Sequence, residues 1–216
     1  MSREVQVRFC ESLGVRFPGA THLVVLAQTE AEGRQMLAEL TLFLKTTLQL
    51  TVHPAKSKVV PTNECEFLGF TLKGTKIRWT DKVYQEFKRR IRELTGRSWG
   101  VSMKYRLQKL AQYVRGWMNY FGISQFYSPI QDIDNWIRRR IRMCYWKQWR
   151  RIKTKIRKLK ELGLPEHFAV INAVSSKSYW HLAKTPGTNA AMSNRWLEEQ
   201  GLVNVKALWC KIQGYS

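Results

Sequence analysis

The chain has 216 residues, with 37 Lys or Arg and 16 Asp or Glu, and its formal net charge is +21 at pH 7. A protein this basic is expected to bind a polyanion, because its surface potential attracts negative charge. A hydrophobic fraction of 44% excludes a disordered chain, and no apolar run reaches the roughly 20 residues of a membrane span, so we expect a folded cytoplasmic protein that does not bind membranes.

The first eighty residues predict an α+β arrangement. A short continuous apolar run at residues 23–27 is typical of a buried strand, and the capping-box pattern of Thr29 and Glu32 predicts the start of a helix. The expected buried side of that helix contains Met36, Leu37, Leu40, Phe43, Leu44 and Leu48. Short strands are predicted within residues 50–52, 58–60 and 65–72, separated by turn residues.

From residue 81 onward the pattern is mainly helical. The predicted helices cover residues 82–94, 102–121, a long basic segment that begins at Ser128 and Pro129 and ends before Gly163, and then 166–176, 178–184 and 193–200. A loop is predicted at residues 185–188. The fold class is therefore α+β, with a small sheet-and-helix region followed by a mainly α-helical region.

The positive charge is concentrated in the middle of the chain. Residues 138–160 contain twelve Lys or Arg and no acid, interleaved with apolar residues at helical spacing. A helix face that is merely solvated would be expected to carry acids four residues from its bases. We therefore favour a nucleic-acid interface over a solvated surface, with a helix lying on a membrane surface as the minor alternative.

Aromatic residues within and beside this run allow two interpretations. Trp136, Tyr145, Trp146 and Trp149 either anchor the basic helix to the core or stack on unpaired bases, which contributes about 1–3 kcal/mol per base. We single out Trp146 and Trp149 as the candidate stacking residues. Gly116 is also unusual because glycine inside a helix costs about 1 kcal/mol relative to alanine. Close packing is the first explanation for it, and close approach of a backbone is the second.

No pattern in the sequence predicts a metal site. Cys10, Cys65, Cys144 and Cys210 lie far apart without a CxxC pair, and the four histidines are equally dispersed. We expect reduced thiols and no metal held by Cys or His. The common phosphate-binding and hydrolase motifs are absent.

Several linked segments resemble known proteins. Residues 23–30 (LVVLAQTE), 50–58 (LTVHPAKSK) and 67–70 (FLGF) resemble the C-terminal half of a reverse-transcriptase palm. Residues 115–122 (RGWMNYFG) and 136–149 (WIRRRIRMCYWKQW) resemble the thumb and maturase region of bacterial group II intron-encoded proteins. The resemblance implies a palm remnant at residues 1–80, a thumb and maturase region with the basic helix at 81–160, and a small helical C-terminal subdomain at 161–216.

The chain departs from this family at the catalytic turn. The family has a Tyr-Ala-Asp-Asp turn whose carboxylates hold two divalent metals, whereas Gly19, Ala20, Thr21 and His22 stand here. Because Mg²⁺ is usually held by carboxylates, we expect no catalytic residue and no cofactor in this chain, with Mg²⁺ needed only if polymerase activity is retained. We interpret the segment before residue 23 as the result of a truncated or frame-shifted copy of a family member, or as true divergence from the family sequence.

The resemblance implies specific site residues. Phe67, Leu68, Gly69 and Phe70 correspond to a primer grip, although a plain core hairpin explains them equally well. The predicted RNA contacts are Arg138, Arg139, Arg140, Arg142, Lys147, Arg150, Arg151, Lys153, Lys155, Arg157 and Lys158.

The implied function is that of a maturase, which binds structured group II intron RNA and assists its folding and splicing. DNA is a second candidate partner. The alternatives are a reverse-transcriptase fragment that is active only with a complementing palm, and a degraded fragment without a selected role.

Overall fold

The computed structural model describes the backbone of residues 5–10, 22–54 and 57–215, and side chains from Val24 onward. The fold is α+β, as the sequence predicts, with ten α-helices in the described residues. The chain divides into two compact units, residues 1–81 and 82–216.

The first unit combines two small antiparallel sheets with one long helix. Its elements are β1 (Val5–Cys10), β2 (His22–Ala27), α1 (Glu30–Thr46), β3 (Lys58–Pro61), β4 (Glu66–Phe67), β5 (Phe70–Lys73) and β6 (Lys76–Trp79). The strand order is β2-β1-β3 in one sheet and β4-β5-β6 in the other. β1 was not predicted, although its sequence VQVRFC has an alternating pattern typical of a strand.

Helix α1 begins where the sequence predicts. The Thr29 hydroxyl accepts a hydrogen bond from the Glu32 backbone N–H, and the Glu32 carboxylate accepts one from the Gln28 N–H, which completes the capping box. Leu44 is buried at the centre of a small apolar core, in which the partners are Val25, Leu37, Leu40, Leu50, Val52 and Val59. Phe43 and Leu48, expected on the buried side, are both about half exposed.

All the regular secondary structure in the described residues of the second unit is helical. Its helices are α2 (Asp81–Leu94), α3 (Met103–Phe121), α4 (Ser128–Gln148), α5 (Ile152–Glu161), α6 (Glu166–Val174), α7 (Tyr179–Leu182), α8 (Pro186–Ala191), α9 (Asn194–Glu199) and α10 (Val205–Gln213). Two differences from the sequence prediction concern the end of the chain. The loop expected at residues 185–188 is wrong, because α8 begins there with Thr185 as its cap, and α10 was not predicted.

Helix α4 is central to this unit. Ile130, Ile133, Ile137 and Ile141 follow one stripe of α4, and each is at most 2% exposed. The indole N–H of Trp146 donates to the Thr188 hydroxyl of α8, and that of Trp209 on α10 donates to the Ser124 carbonyl before α4. The C-terminal helices are therefore packed around α4 as part of the same unit.

Candidate nucleic-acid interface

The basic run occupies two helices instead of the single long helix that its periodicity predicts. Helix α4 ends at Gln148, and Trp149 leaves the helical conformation with a ψ of 59°. Helix α5 begins at Ile152, after Arg150 and Arg151. The change in direction brings the Trp149 ring against Tyr145 and Trp146, with ring-centroid distances of 5.9 and 6.1 Å. The twelve cations therefore do not share one face.

Arg138 is buried and neutralised inside the protein. Its Nε donates to Asp134 Oδ2 at 2.7 Å, and its Nη2 donates to Glu198 Oε1 at 3.1 Å. The other oxygen of Asp134 accepts a hydrogen bond from the Val205 backbone N–H. Arg138 and Asp134 together therefore connect α4 with α9 and α10. The side chain of Arg138 is 7% exposed, so its guanidinium offers little surface to a ligand.

Three further arginines of the run donate to carbonyl and hydroxyl groups. Arg139 donates to the Trp180 carbonyl from Nε and Nη2, and Arg142 donates to the Met192 carbonyl and to Asn194 Oδ1. Arg140 donates to the Thr95 hydroxyl and to the Arg92 carbonyl. These partners accept hydrogen bonds but do not neutralise charge.

Burial of these arginines is reflected in their pKa values. Burial lowers the pKa of Arg142 to about 10, with a smaller contribution from the charge of Arg138. Burial also lowers the pKa of Arg139 and of Arg140. All three remain cationic at neutral pH, and none of them pairs with a carboxylate in the part of the chain that the structure describes.

Four of the five cations of α5 have partners inside the protein, in two different environments. Lys155 is buried between two aromatic rings, with its Nζ 5.7 Å from the Trp146 ring centroid and 5.2 Å from that of Tyr179. Arg157 and Lys158 both pair with Glu161, and Lys160 pairs with Glu166. Acids just beyond the run therefore relieve the repulsion that the run alone appeared to leave uncompensated.

The remaining four cations of the run form a separate group around the junction of α4 and α5. Lys147, Arg150, Arg151 and Lys153 are all exposed, and none forms an ion pair within the described part of the chain. We call these four residues the junction cluster. All four can contact phosphate groups without giving up an ion pair within the described residues.

The tryptophans differ in their access to solvent. Trp146 is 0% exposed and Trp149 is 7% exposed, so neither ring offers a face on which a base could stack in this conformation. Trp136 is partly exposed. Three cations lie over its ring, with centroid distances of 5.8 Å for Lys88, 5.6 Å for Arg92 and 5.2 Å for Arg140.

Helix geometry places Trp136 in line with the junction cluster. Trp136, Arg140 and Lys147 are spaced by four and seven residues, so they follow one stripe along α4. The stripe is about 16 Å long at 1.5 Å per residue. Trp136 with the cations around it therefore lies on the same side of α4 as Lys147 of the junction cluster, and we call these residues together with the junction cluster the basic surface.

A second groove follows the exposed face of α3. It has a volume of about 890 Å³ and is lined by Lys104, Leu107, Gln108, Ala111, Gln112, Arg115, Gly116, Asn119, Gln200 and Gly201. The lining contains two cations and no acid. A methyl group built on Gly116 would meet no atom within 4 Å, so close packing inside the protein does not explain this glycine.

The segment that corresponds to a primer grip is a two-residue hairpin turn. Leu68 and Gly69 both have positive φ angles, 49° and 83°, and Phe67 pairs with Phe70 across the turn. Leucine rarely adopts this conformation because of its Cβ. Both phenylalanines are partly buried and Leu68 is 54% exposed, so the turn projects an apolar side chain.

In the parts of the chain that the structure describes, no group of three or more His, Cys, Asp or Glu residues is placed so that it could hold a metal ion. Gly19, Ala20 and Thr21 lie outside the described residues, as does the side chain of His22. Among the described helices, none combines the length and hydropathy needed to span a bilayer.

Comparison with known proteins identifies one family. No curated protein matches the chain. Residues 84–163 match the sequence model of the family described as "Group II intron, maturase-specific domain". The matched range runs from α2 through α5 and contains Trp136 and the whole junction cluster. The basic surface thus lies within the residues that are similar to a group II intron maturase-specific domain, which supports a maturase-type role in group II intron splicing.

Proposed function

We propose that this protein is an RNA-binding maturase that assists the folding and splicing of a group II intron. The observation that carries the proposal is the junction cluster, in which four exposed cations have no acidic partner among the described residues and lie within the residues that match a maturase-specific domain. The net charge of +21 supplies the long-range attraction to RNA.

The mode of binding follows from the chemistry of the surface. Lys and Arg side chains at the junction contact phosphates, which fixes the position of the RNA without reading its sequence. A-form RNA has a deep and narrow major groove, so recognition depends on shape, phosphates and unpaired nucleotides. The protein stabilises the folded intron and the RNA performs the splicing chemistry, so the proposed role requires no catalytic residue or cofactor of the protein.

Contacts with RNA are assigned to a smaller set of residues than the sequence predicts. Lys147, Arg150, Arg151 and Lys153 bind phosphates directly, and Arg140 and Trp136 extend this surface. Arg138 and Lys155 are assigned to the protein interior, together with the buried Trp146 and Trp149 rings. Arg157 and Lys158 contribute only if RNA displaces Glu161.

The experiment is a splicing and binding comparison with matched charge variants. In the junction variant, Lys147, Arg150, Arg151 and Lys153 are all changed to Gln. In the control, four exposed lysines elsewhere are changed to Gln, namely Lys45, Lys177, Lys206 and Lys211. We expect the junction variant to lose both intron binding and stimulation of splicing, and the control to retain most of both. Equal losses in the two variants would show that net charge alone governs binding.

The rival function is reverse transcription, which the resemblance of residues 23–70 to a palm suggests. Primer extension on a poly(rA)/oligo(dT) substrate with Mg²⁺ or Mn²⁺ tests this rival, first with the protein alone and then with an added palm fragment. We expect no incorporation by the protein alone. Competition between intron RNA and duplex DNA for the junction cluster tests the second candidate partner, and we expect intron RNA to win.

A further inference from the structure

A separate cleft lies between α4 and the short helices that follow it. Its volume is about 390 Å³, and it is lined by Asn135, Arg139, Arg142, Ala183, Lys184, Asn189 and Asn194. The lining thus has three cations, three amides and no carboxylate. Clefts of this size bind small ligands, and this composition favours an anionic one.

Two of the cations are held in fixed positions. The Arg139 guanidinium lies 3.8 Å from the centroid of the Trp180 ring and donates two hydrogen bonds to the Trp180 carbonyl. Arg142 is 93% buried and donates to the Met192 carbonyl at 2.9 Å and to Asn194 at 2.8 Å. The Nη1 groups of both arginines make no hydrogen bond within the described part of the chain, so each retains donors for a ligand.

Within the described residues, none of the three cations of the cleft forms an ion pair with a carboxylate. Arg138, the nearest paired arginine on α4, uses its own acids, Asp134 and Glu198. The pKa of His181, beside the cleft on α7, is lowered first by burial and then by the charges of Lys177, Lys184 and Arg139. A group with two negative oxygens would therefore be bound more favourably here than at an ordinary surface site.

The amides add a second kind of recognition. Asn135 makes no side-chain hydrogen bond within the described residues, Asn189 uses only its amino group, and Asn194 uses only its carbonyl oxygen. The cleft therefore keeps both donors and acceptors unused beside its cations. Such a set matches the polar edge of a nucleobase next to a phosphate, whereas inorganic phosphate needs donors alone.

We propose that this cleft binds one unpaired nucleotide of the RNA, with its phosphate on Arg139, Arg142 and Lys184 and its base against the asparagine amides. The proposal rests on the proposed RNA-binding function but concerns a site distinct from the junction cluster. It assigns to α7, α8 and α9 a role in recognising a bulged or looped position, in addition to their packing on α4.

The test compares two fluorescein-labelled RNA hairpins that differ only in one bulged nucleotide. The cleft variant carries Lys184→Gln and Asn135→Ala, two exposed positions whose side chains make no hydrogen bond in the described structure. Its matched control carries Lys211→Gln and Asn63→Ala, also at exposed positions. Melting temperatures of both variants should equal that of the wild type.

We expect the wild type and the control to bind the bulged hairpin more tightly than the paired one. The cleft variant should lose about tenfold in affinity for the bulged hairpin, the equivalent of one charge-assisted hydrogen bond, and little for the paired hairpin. A 4-thiouridine at the bulge should crosslink to the peptide that contains α7 to α9.

Three outcomes would overturn the inference. If the wild type does not distinguish the hairpins, or if the cleft variant keeps the bulge preference, the cleft does not bind the nucleotide. If the cleft variant weakens both hairpins equally, the cleft binds backbone phosphate only. The junction variant separates these results from the proposed function, because it should weaken both hairpins whether or not the cleft is occupied.

Discussion

Substitution of the exposed cations of the basic run and substitution of the buried Arg138 should have opposite effects. The first should weaken RNA binding without reducing stability, and the second should reduce stability without changing the salt dependence of binding. The junction variant, with Lys147, Arg150, Arg151 and Lys153 changed to Gln, removes four phosphate contacts and no internal partner. The slope of log K against log salt is about −0.7 to −0.9 for each phosphate neutralised, so the slope should become shallower by roughly 3 to 4. The melting temperature should stay close to that of the wild type, because all four side chains are exposed.

The comparison variant is Arg138→Met, which fills a similar volume without charge. It leaves Asp134 buried without its guanidinium partner, and breaking a buried pair in this way costs about 3–5 kcal/mol. For a unit of this size the melting temperature should fall by about 6–20 °C. The salt slope of the remaining folded protein should be unchanged, because this guanidinium does not reach solvent.

Both quantities are measured in one series. Fluorescence anisotropy with a labelled intron domain, recorded at KCl concentrations from about 50 to 200 mM, gives the slope, and circular dichroism gives the melting temperature. The reasoning is refuted if Arg138→Met retains wild-type stability and flattens the slope. It is refuted equally if the junction variant keeps the full slope, since the exposed cations would then not be the contact surface.

Three further predictions concern stability. Trp146→Ala should cost about 3–5 kcal/mol in urea unfolding because the ring is fully buried; a loss below about 1 kcal/mol would mean that the ring is not part of the core. Gly116→Ala should raise the free energy of unfolding by about 1 kcal/mol, since the added methyl meets no atom, and destabilisation would contradict the open groove. Burial raises the pKa of the Tyr145 phenol from its ordinary value of 10.0 to about 12. The stability that the folded protein gains from the neutral phenol is therefore complete below pH ~10 and is lost between pH ~10 and ~12. Thermal melts of Tyr145→Phe should show a smaller decline over that range, and identical declines would contradict this cause.

Local patterns in the sequence were sufficient to predict where several helices begin and end. The capping box at Thr29 places the start of α1, and the cap at Ser102 and the apolar spacing of α2 and α3 place both ends of these two helices, within one residue of the observed bounds. The loop prediction at residues 185–188 failed although Thr185 followed by Pro186 is itself a helix-start signal. Helix α8 has only six residues, which is too short for apolar residues to show a clear helical period.

The candidate site was harder to predict, for a physical reason. A run of charges shows how many cations are present, but long side chains find partners that are distant in sequence. Glu198 lies 60 residues from Arg138, and the Trp180 carbonyl lies 41 residues from Arg139. Only the packed structure separates the cations that serve the interior from those that remain for RNA.

The internal hydrogen bonds of α4 also set a limit on how the protein can be divided. The maturase-specific match ends at residue 163, yet Arg138, Arg139, Arg142 and Trp146 each have a hydrogen-bond partner beyond it, at residues 180–198. A fragment cut at residue 163 would expose three guanidiniums and the face of an indole at once. The unit of sequence resemblance is therefore shorter than the unit of folding, and the C-terminal helices are a structural requirement of the basic surface that precedes them.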